Sequence, residues 1–321
     1  MQSNILMYLT AMSVVSIHNL LDNIKEVTRT NDLFELITMD TNWTMEDDLA
    51  KIFPTCNGTR QSPINIATKE VKENLNLRLG ITAYDKPISG LLTNRFPTFQ
   101  LVPLSLKSPK PSAFISTSNA RSFNPSQDSH FILNYIQFYW SHDGNQSVHL
   151  IDGKGSPLEI HLVHTNAAYE SLEESSAKQD GVLIFSVSVV PSTHESYIFD
   201  KLLDGLSHIS NHGNQKLVEE DSTWRSLLPV DTSKFYLYRG SMIFPPCREP
   251  VQWIVFEDKL RLGQKQLRRL KRYKFVSRNS RDGRQVDWSA QRRPMQPLHG
   301  RVVERSFSLR KDGGRASYSR V

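Results

Sequence analysis

Two apolar runs decide the fold of this chain, Phe131-Ile-Leu-Asn-Tyr-Ile-Gln-Phe-Tyr-Trp140 and Leu158-Glu-Ile-His-Leu-Val-His164. Both are short and apolar or alternating, which is typical of buried β-strands. Similar runs lie at residues 148–151, 182–189, 235–238 and 251–256, with Gly- and Asn-containing turns between them. Helical periodicity is limited to residues 197–209 and 263–273. We therefore predict one mainly-β domain at residues 43–307.

Composition excludes several classes of protein. The chain has 321 residues, of which 38% are hydrophobic and 9% aromatic, too many for a disordered protein. After the first 24 residues, no uncharged apolar run approaches the ~20 positions that a membrane span needs. Two cysteines cannot form a Cys₄ zinc site or a disulfide-dense scaffold.

Charge is distributed unevenly along the chain. The segment from Arg261 to Val321 carries 18 Lys+Arg against 4 Asp+Glu, whereas the whole chain has a net charge of only +6. A basic end on an acidic body favours contact with a polyanion, although a solvated basic face has the same composition.

The ends of the chain predict a secreted protein. Residues 1–20 are apolar and uncharged, as in a signal peptide, although a buried or amphipathic helix would look similar. Residues 21–42 form an N-terminal extension, and residues 308–321 a basic tail expected to be disordered. Three glycosylation sequons begin at Asn42, Asn57 and Asn145. We therefore expect an extracellular chain without a transmembrane segment.

The best metal-ligand candidate in the sequence is the run from Glu159 to His164. Side chains on a strand alternate between its two faces, so His161 and His164, three positions apart, point to opposite sides. Only one of them can therefore contribute to a given metal site, and the other is expected to lie in the core.

Four blocks together resemble the α-class carbonic anhydrases. They are Gln61-Ser-Pro-Ile-Asn-Ile66, the run from Leu158 to Asn166, Gly240-Ser-Met-Ile-Phe-Pro-Pro246 with Trp253, and Arg293-Pro-Met-Gln-Pro-Leu298. The resemblance implies one domain around a twisted, largely antiparallel ten-stranded sheet with a few short helices. It also implies a zinc ion held by three histidines, and a disulfide between Cys56 and Cys247 as in secreted members. Two free thiols remain the alternative for the cysteines.

Two of the three zinc ligands are missing at the matching positions. Active members carry His-x-His directly before Trp, a spacing that puts both imidazoles on one face of a strand. Anchored on Trp140, these positions are Gln137 and Tyr139, so that His161 is the only ligand retained, with Glu159 as its supporting partner. A slipped register could substitute His130 or His142, but both lie outside the predicted strand.

The resemblance also locates positions that act on the zinc-bound hydroxide in active members. The Thr that orients it corresponds to Ile243, the Glu that accepts the proton of that Thr to Val148, and the neighbouring Thr to Phe244. The proton-shuttling His corresponds to Arg121, and the Gln supporting the ligands to Tyr135. We therefore expect no catalytic residues and no cofactor.

These expectations predict an inactive relative that binds an extracellular protein or an acidic glycan, and no nucleic acid. The candidate polyanion patch consists of Lys265, Arg268, Arg269, Lys271, Arg272 and Lys274. The alternative is a divergent zinc enzyme that reversibly hydrates CO₂ to bicarbonate, with Gln137 or Tyr139 as a metal ligand. A third hypothesis is a pocket that accepts a small apolar ligand, although the simpler expectation is that side chains fill this space. The pocket would be lined by Met242, Ile243, Phe244, Val148 and Val163.

Overall fold

The computed structural model describes residues 48–95, 98–105, 108–116, 129–140, 148–209, 214–273, 276–278, 285–287 and 292–309. Its strands are β1 (Asn65–Ile66), β2 (Lys72–Glu73), β3 (Arg78–Thr82), β4 (Pro87–Arg95), β5 (Thr98–Pro103), β6 (Ser112–Ser116), β7 (His130–Trp140), β8 (Leu150–Ile151), β9 (Leu158–Asn166), β10 (Val182–Ser192), β11 (Gln215–Thr223), β12 (Phe235–Gly240), β13 (Val251–Phe256), β14 (Leu260–Gly263), β15 (Val276–Arg278), β16 (Gln285–Asp287) and β17 (Glu304–Arg305). The α-helices are α1 (Leu49–Ile52), α2 (Leu172–Ser176), α3 (Tyr197–Leu206) and α4 (Gln264–Leu270).

A large mixed sheet dominates the described residues. Its main path runs β11-β4-β5-β7-β9-β10-β13-β12-β17-β2, and β3, β6 and β14 join at its sides. Along this path β10–β13 and β17–β2 are parallel, and the other neighbours are antiparallel. The predicted largely antiparallel ten-stranded sheet is confirmed, and three more strands extend it.

The register between β7 and β9 fixes which side chains share a face. Gln137 lies opposite His161, and Tyr139 lies opposite Glu159. The pairing shifts between Leu133 and Tyr135, where an extra residue forms a bulge that redirects the following side chains. After the bulge, alternate side chains of β7 point to the two faces of the sheet, as the position of Trp140 predicted.

Each face of the sheet buries its own apolar cluster. The cluster on the side of α3, here called the α3-side cluster, includes Phe138, Trp140, Phe185, Phe199 and Leu267. Phe199 of α3 meets the edge of Phe138 at 6.2 Å between ring centroids, which seats this helix on the sheet. The site-side cluster on the other face includes aromatic and aliphatic side chains around Tyr139, namely Tyr135, Val148, Val163, Ile243, Phe244 and Trp253.

A disulfide joins the start of the described chain to the loop after β12. Cys56 pairs with Cys247 across a sequence separation of 191 residues, so the predicted bridge is confirmed. The buried side chain of Arg293 donates to the carbonyl oxygen of Cys56 at 3.2 Å and to that of Ser62 at 2.9 Å. These contacts tie the C-terminal segment to the disulfide loop beside the site-side cluster.

Candidate active site

The centre of the sheet brings together the residues that the sequence singled out. His161 and Glu159 project from β9 beside Gln137 and Tyr139 of β7, all on the site-side face. The His161 ring lies 4.6 Å from the Tyr139 ring and 4.9 Å from the Trp253 ring, between centroids. All four side chains are buried, so their polar groups must find partners within the protein.

The Glu159 carboxylate is the hub of the site. One oxygen, Oε1, accepts from Nδ1 of His149, Nε2 of His161 and Oγ of Ser186, each at 2.7 Å. The other oxygen accepts the backbone N–H of His149 at 2.8 Å. Burial opposes the charged form, but the charge and hydrogen bonds of His149, with the hydrogen bond of His161, hold the pKa of Glu159 well below its ordinary value.

Beyond Glu159 the polar network continues through a histidine that sequence reasoning missed. His149 Nε2 lies 2.7 Å from the hydroxyl of Tyr238, which in turn lies 2.9 Å from Oγ of Ser62. His149 stands next to the two-residue strand β8, and no local periodicity marks it. The only available signal was its presence beside Val148, a position that the family resemblance had already identified.

His161 keeps a protonation state compatible with a ligand. Burial lowers the pKa of its imidazole, and the hydrogen bond to Glu159 opposes that shift only in part. Its Nε2 therefore carries the proton that Glu159 accepts, and Nδ1 keeps its lone pair. Within the described residues, Nδ1 makes no hydrogen bond.

Gln137 and Tyr139 are partners of each other. The Tyr139 hydroxyl donates to Oε1 of Gln137, and the Tyr139 ring stacks on Phe244 at 5.9 Å between centroids. Burial, reinforced by Tyr135 and Glu159, raises the pKa of Tyr139 well above its ordinary value. The phenol is therefore neutral, and its proton is committed to the amide of Gln137.

The remaining predicted positions line the same region. Val148, Val163, Ile243 and Phe244 are buried in the site-side cluster, and Met242 packs against it. No hydroxyl replaces the expected Thr at Ile243, and Val148 supplies no acceptor. Arg121 lies outside the described residues, as does His142. His130 belongs to β7, as its first residue, but it precedes Gln137 by seven positions, about 23 Å along a strand.

These donors do not fit a zinc ion. His149, Glu159 and His161 hold potential ligand atoms within 4.8 Å of one another, but the two histidine nitrogens that meet Glu159 carry the protons they donate to it. A catalytic zinc site needs three deprotonated protein ligands and an open position for water. Nδ1 of His161 is an available donor, whereas the amide oxygen of Gln137 and the neutral phenol of Tyr139 are hydrogen-bonded to each other.

His164 occupies the opposite face of β9, as the spacing predicted. Its Nδ1 lies 3.2 Å from the carbonyl oxygen of Leu183, and its Nε2 lies 2.6 Å from the hydroxyl of Tyr84. The ring packs 4.4 Å from Phe185 in the α3-side cluster. Burial lowers the pKa of His164 to about 3, so this histidine is a neutral core residue.

The other predicted sites are distributed over the surface. Asn57 is exposed at the end of a 3₁₀ helix directly after Cys56, while Asn42 and Asn145 lie outside the described residues. Lys265, Arg268 and Arg272 are exposed, and Arg269 and Lys271 are half-buried. Lys274 lies outside the described residues, as do residues 1–47 and 310–321.

The sheet topology, the Glu159–His161 pair at its centre and the Cys56–Cys247 bridge define a protein of the carbonic anhydrase class. Comparison with known proteins agrees. The chain belongs to the eukaryotic-type carbonic anhydrase family, whose family model matches residues 40–307.

Individual relatives are only moderately similar. Carbonic anhydrase 6 of Bos taurus is 30% identical over 260 residues, which cover 79% of this chain and 75% of the relative. The Mus musculus protein of the same name is 30% identical over 268 residues, covering 82% and 78%. Human receptor-type tyrosine-protein phosphatase zeta is 31% identical over 226 residues, which cover 68% of this chain but 9% of that protein.

Across the part of the chain that the structure describes, every helix is too short or too polar to cross a bilayer.

Proposed function

We propose that this chain is a secreted member of the carbonic anhydrase family that does not hydrate CO₂ and acts as a binding module for an extracellular protein or an acidic glycan. The observation that carries the proposal is the hydrogen bond between Tyr139 and Gln137 beside His161. Because Gln137 and Tyr139 hydrogen-bond to each other, Nδ1 of His161 is the potential metal-binding atom of these three side chains that has no hydrogen-bond partner among the described residues.

Electrostatics at the site support the absence of zinc chemistry. A zinc-bound water reaches a pKa near 7 when three protein ligands hold the ion and leave one coordination position open for the water. Gln137 and Tyr139 would have to give up their mutual hydrogen bond to approach an ion, and burial keeps the Tyr139 phenol neutral. A neutral phenol stacked on Phe244 is a weak ligand and leaves little room for water.

The apolar pair at Ile243 and Val148 supports the same conclusion independently. In an active site, a hydroxyl that orients the nucleophile needs a buried acceptor for its own proton. Ile243 offers no hydroxyl, and Val148 requires no donor, so the two substitutions are compatible only with each other. Both are buried, and combining one of them with a polar residue at the other position would leave a buried polar group without a partner.

A stopped-flow hydration assay tests the catalytic part of the proposal. The purified chain, incubated with excess zinc and then desalted, is mixed with CO₂ in a weakly buffered pH indicator. We expect the measured rate of CO₂ hydration to equal the uncatalysed rate at every protein concentration. Hydration that rises in proportion to protein and is inhibited by a sulfonamide would contradict the proposal.

The second candidate function is a divergent zinc-dependent carbonic anhydrase. The cluster of His149, Glu159 and His161 favours it, because three potential ligand atoms lie within 4.8 Å. This candidate requires the imidazole protons at Glu159 to be lost, and it predicts that His149→Gln abolishes metal binding. The proposed function predicts that the same variant is destabilised but has no metal to lose.

Secretion is supported by the disulfide and by the exposed sequon at Asn57. Structural disulfides persist in oxidising compartments, and Cys56–Cys247 joins residues that are 191 positions apart in the chain. Expression of the full chain in cultured cells, followed by deglycosylation of the medium fraction, tests this part. We expect the chain in the medium, with a mass shift that Asn57→Gln reduces; retention of all the chain inside the cell would contradict it.

A further inference from the structure

One surface carries positive charge that forms no ion pair with the described residues. Helix α4 buries Leu267 and Leu270 in the α3-side cluster, so its opposite side must face solvent. That side and the turn after it carry Lys265, Arg268, Lys271 and Arg272, here called the α4 basic face. Lys265 and Arg268 lie on α4, and Lys271 and Arg272 lie in the turn that follows it, so the four charges are close together along the chain.

The α4 basic face is held rigidly. The buried amide of Gln266 donates to the carbonyl oxygen of Ser196 at 2.7 Å and accepts its backbone N–H at 2.8 Å. Just after the helix, the hydroxyl of Tyr273 donates to the carbonyl oxygen of Leu203 at 3.0 Å. Because both ends of α4 are tied to the region of α3, a ligand would meet side chains on a backbone that is already ordered.

Only one basic side chain of this region has an acidic partner among the described residues. Arg269 forms an ion pair with Asp204 of α3 and is therefore left out of the α4 basic face. Lys265, Arg268, Lys271 and Arg272 form no ion pair or hydrogen bond with any described residue through their side chains. Within the part of the chain that the structure describes, their charges balance no acidic side chain and are available to an external anion.

The composition of the surface distinguishes between kinds of polyanion. A helix that binds a lipid surface inserts an apolar face between the headgroups. The apolar side chains of α4 are buried in the core, and the exposed residues of the helix are Gln264, Lys265 and Arg268. A group of charges without an apolar anchor suits a hydrated, linear polyanion that lies across the surface.

We propose that the α4 basic face binds a linear sulfated polysaccharide through Lys265, Arg268, Lys271 and Arg272. The choice of a polysaccharide over a nucleic acid rests on the proposed extracellular function, whereas the location of the surface rests on the burial and charges of α4 alone. Binding is electrostatic and depends on salt, because each contact releases a counterion from the polyanion.

The test compares two triple variants of the full chain on immobilised heparin. The first, Lys265→Ala with Arg268→Ala and Arg272→Ala, removes three charges from the α4 basic face. The matched control, Lys69→Ala with Lys72→Ala and Lys154→Ala, removes three charges from exposed residues in or near β2 and β8. All six side chains are exposed, so both variants are expected to fold, which near-ultraviolet circular dichroism checks.

We expect the first variant to lose at least tenfold in affinity at 0.15 M NaCl, and its slope of log affinity against log salt to fall by about two to three. The control variant should elute close to the wild type. Equal losses in the two variants, an unchanged α4 variant, or equally tight binding of the wild type to phosphatidylserine vesicles would overturn the inference. None of these outcomes bears on zinc content or CO₂ hydration, so the inference can fail while the lack of hydratase activity stands.

Discussion

Acid should destabilise this protein in part through a buried core histidine, His164. Its pKa is lowered to about 3 by burial, whereas an unfolded histidine titrates near 6.5. Above pH 6.5 both states are neutral and the stabilisation is fully present. As the pH falls from 6.5 towards 3, only the unfolded state takes up the proton, so stability is lost. Between pH 7.5 and pH 4.5 this linkage amounts to about 3 kcal/mol.

The substitution His164→Gln isolates this contribution. Glutamine keeps a donor and an acceptor for Leu183 and Tyr84 but cannot be protonated. The variant should be less stable than the wild type at pH 7.5, and the gap in free energy of unfolding should shrink by about 3 kcal/mol at pH 4.5. Other groups that titrate in this range, including His161 and Glu159, are present in both proteins and cancel in the difference.

Urea denaturation followed by tryptophan fluorescence measures the gap at each pH. His194→Gln is the matched control, because it makes the same substitution at an exposed histidine just after β10. Stability curves of the wild type and His164→Gln that run parallel between pH 7.5 and pH 4.5 would refute the reasoning. They would mean that His164 is solvated or charged in the folded protein.

Two further predictions concern the bridge and the site. Replacing both Cys56 and Cys247 by alanine should lower the free energy of unfolding by about 5 kcal/mol, because a loop of 191 residues is no longer closed in the unfolded chain. Urea titrations measure this loss, and a loss below about 1 kcal/mol would contradict the prediction. The double substitution Gln137→His with Tyr139→His should give a chain that retains about one zinc after dialysis, since both positions share a face with His161. The pair Gln137→Leu with Tyr139→Phe, which offers no metal ligand at either position, is its control. A double-histidine variant that stays metal-free would show that the site cannot hold zinc even with three imidazoles.

Much of the site could be predicted because it lies on regular strands. Alternation on β9 correctly separated His161 from His164, and Trp140 fixed the register that puts Gln137 and Tyr139 beside His161. Strand periodicity is a local property, so a correct anchor within a strand is enough to place every other side chain on it.

Other features depend on contacts that no local pattern encodes. His149 joins Glu159 from ten positions away and Tyr238 from 89 positions away, so its role depends on how distant strands meet. The bulge near Tyr135 and the hydrogen bond between Tyr139 and Gln137 have no sequence signature either. Strands β3 to β6 and β11 were also missed, and in β3 and β11 most residues are half-buried or exposed, so their alternation is weak.

The basic residues on and after α4 show what composition can and cannot predict. Their charge was evident from the sequence, but the packing of α4 against α3 was needed to distinguish Arg269, which is paired with Asp204, from neighbours that have no acidic partner among the described residues. Composition therefore predicted the kind of surface, and tertiary structure selected the residues that remain available on it.

The zinc content of the full-length chain tests the central claim most directly. The secreted protein is dialysed against metal-free buffer without chelator, and zinc is measured by elemental mass spectrometry against an accurate protein concentration. We expect a zinc-to-protein ratio near zero, because Gln137 and Tyr139 hydrogen-bond to each other and leave His161 as a single ligand. A ratio near one that disappears in His161→Ala would contradict it, and the zinc-dependent alternative would then be the better account of this protein.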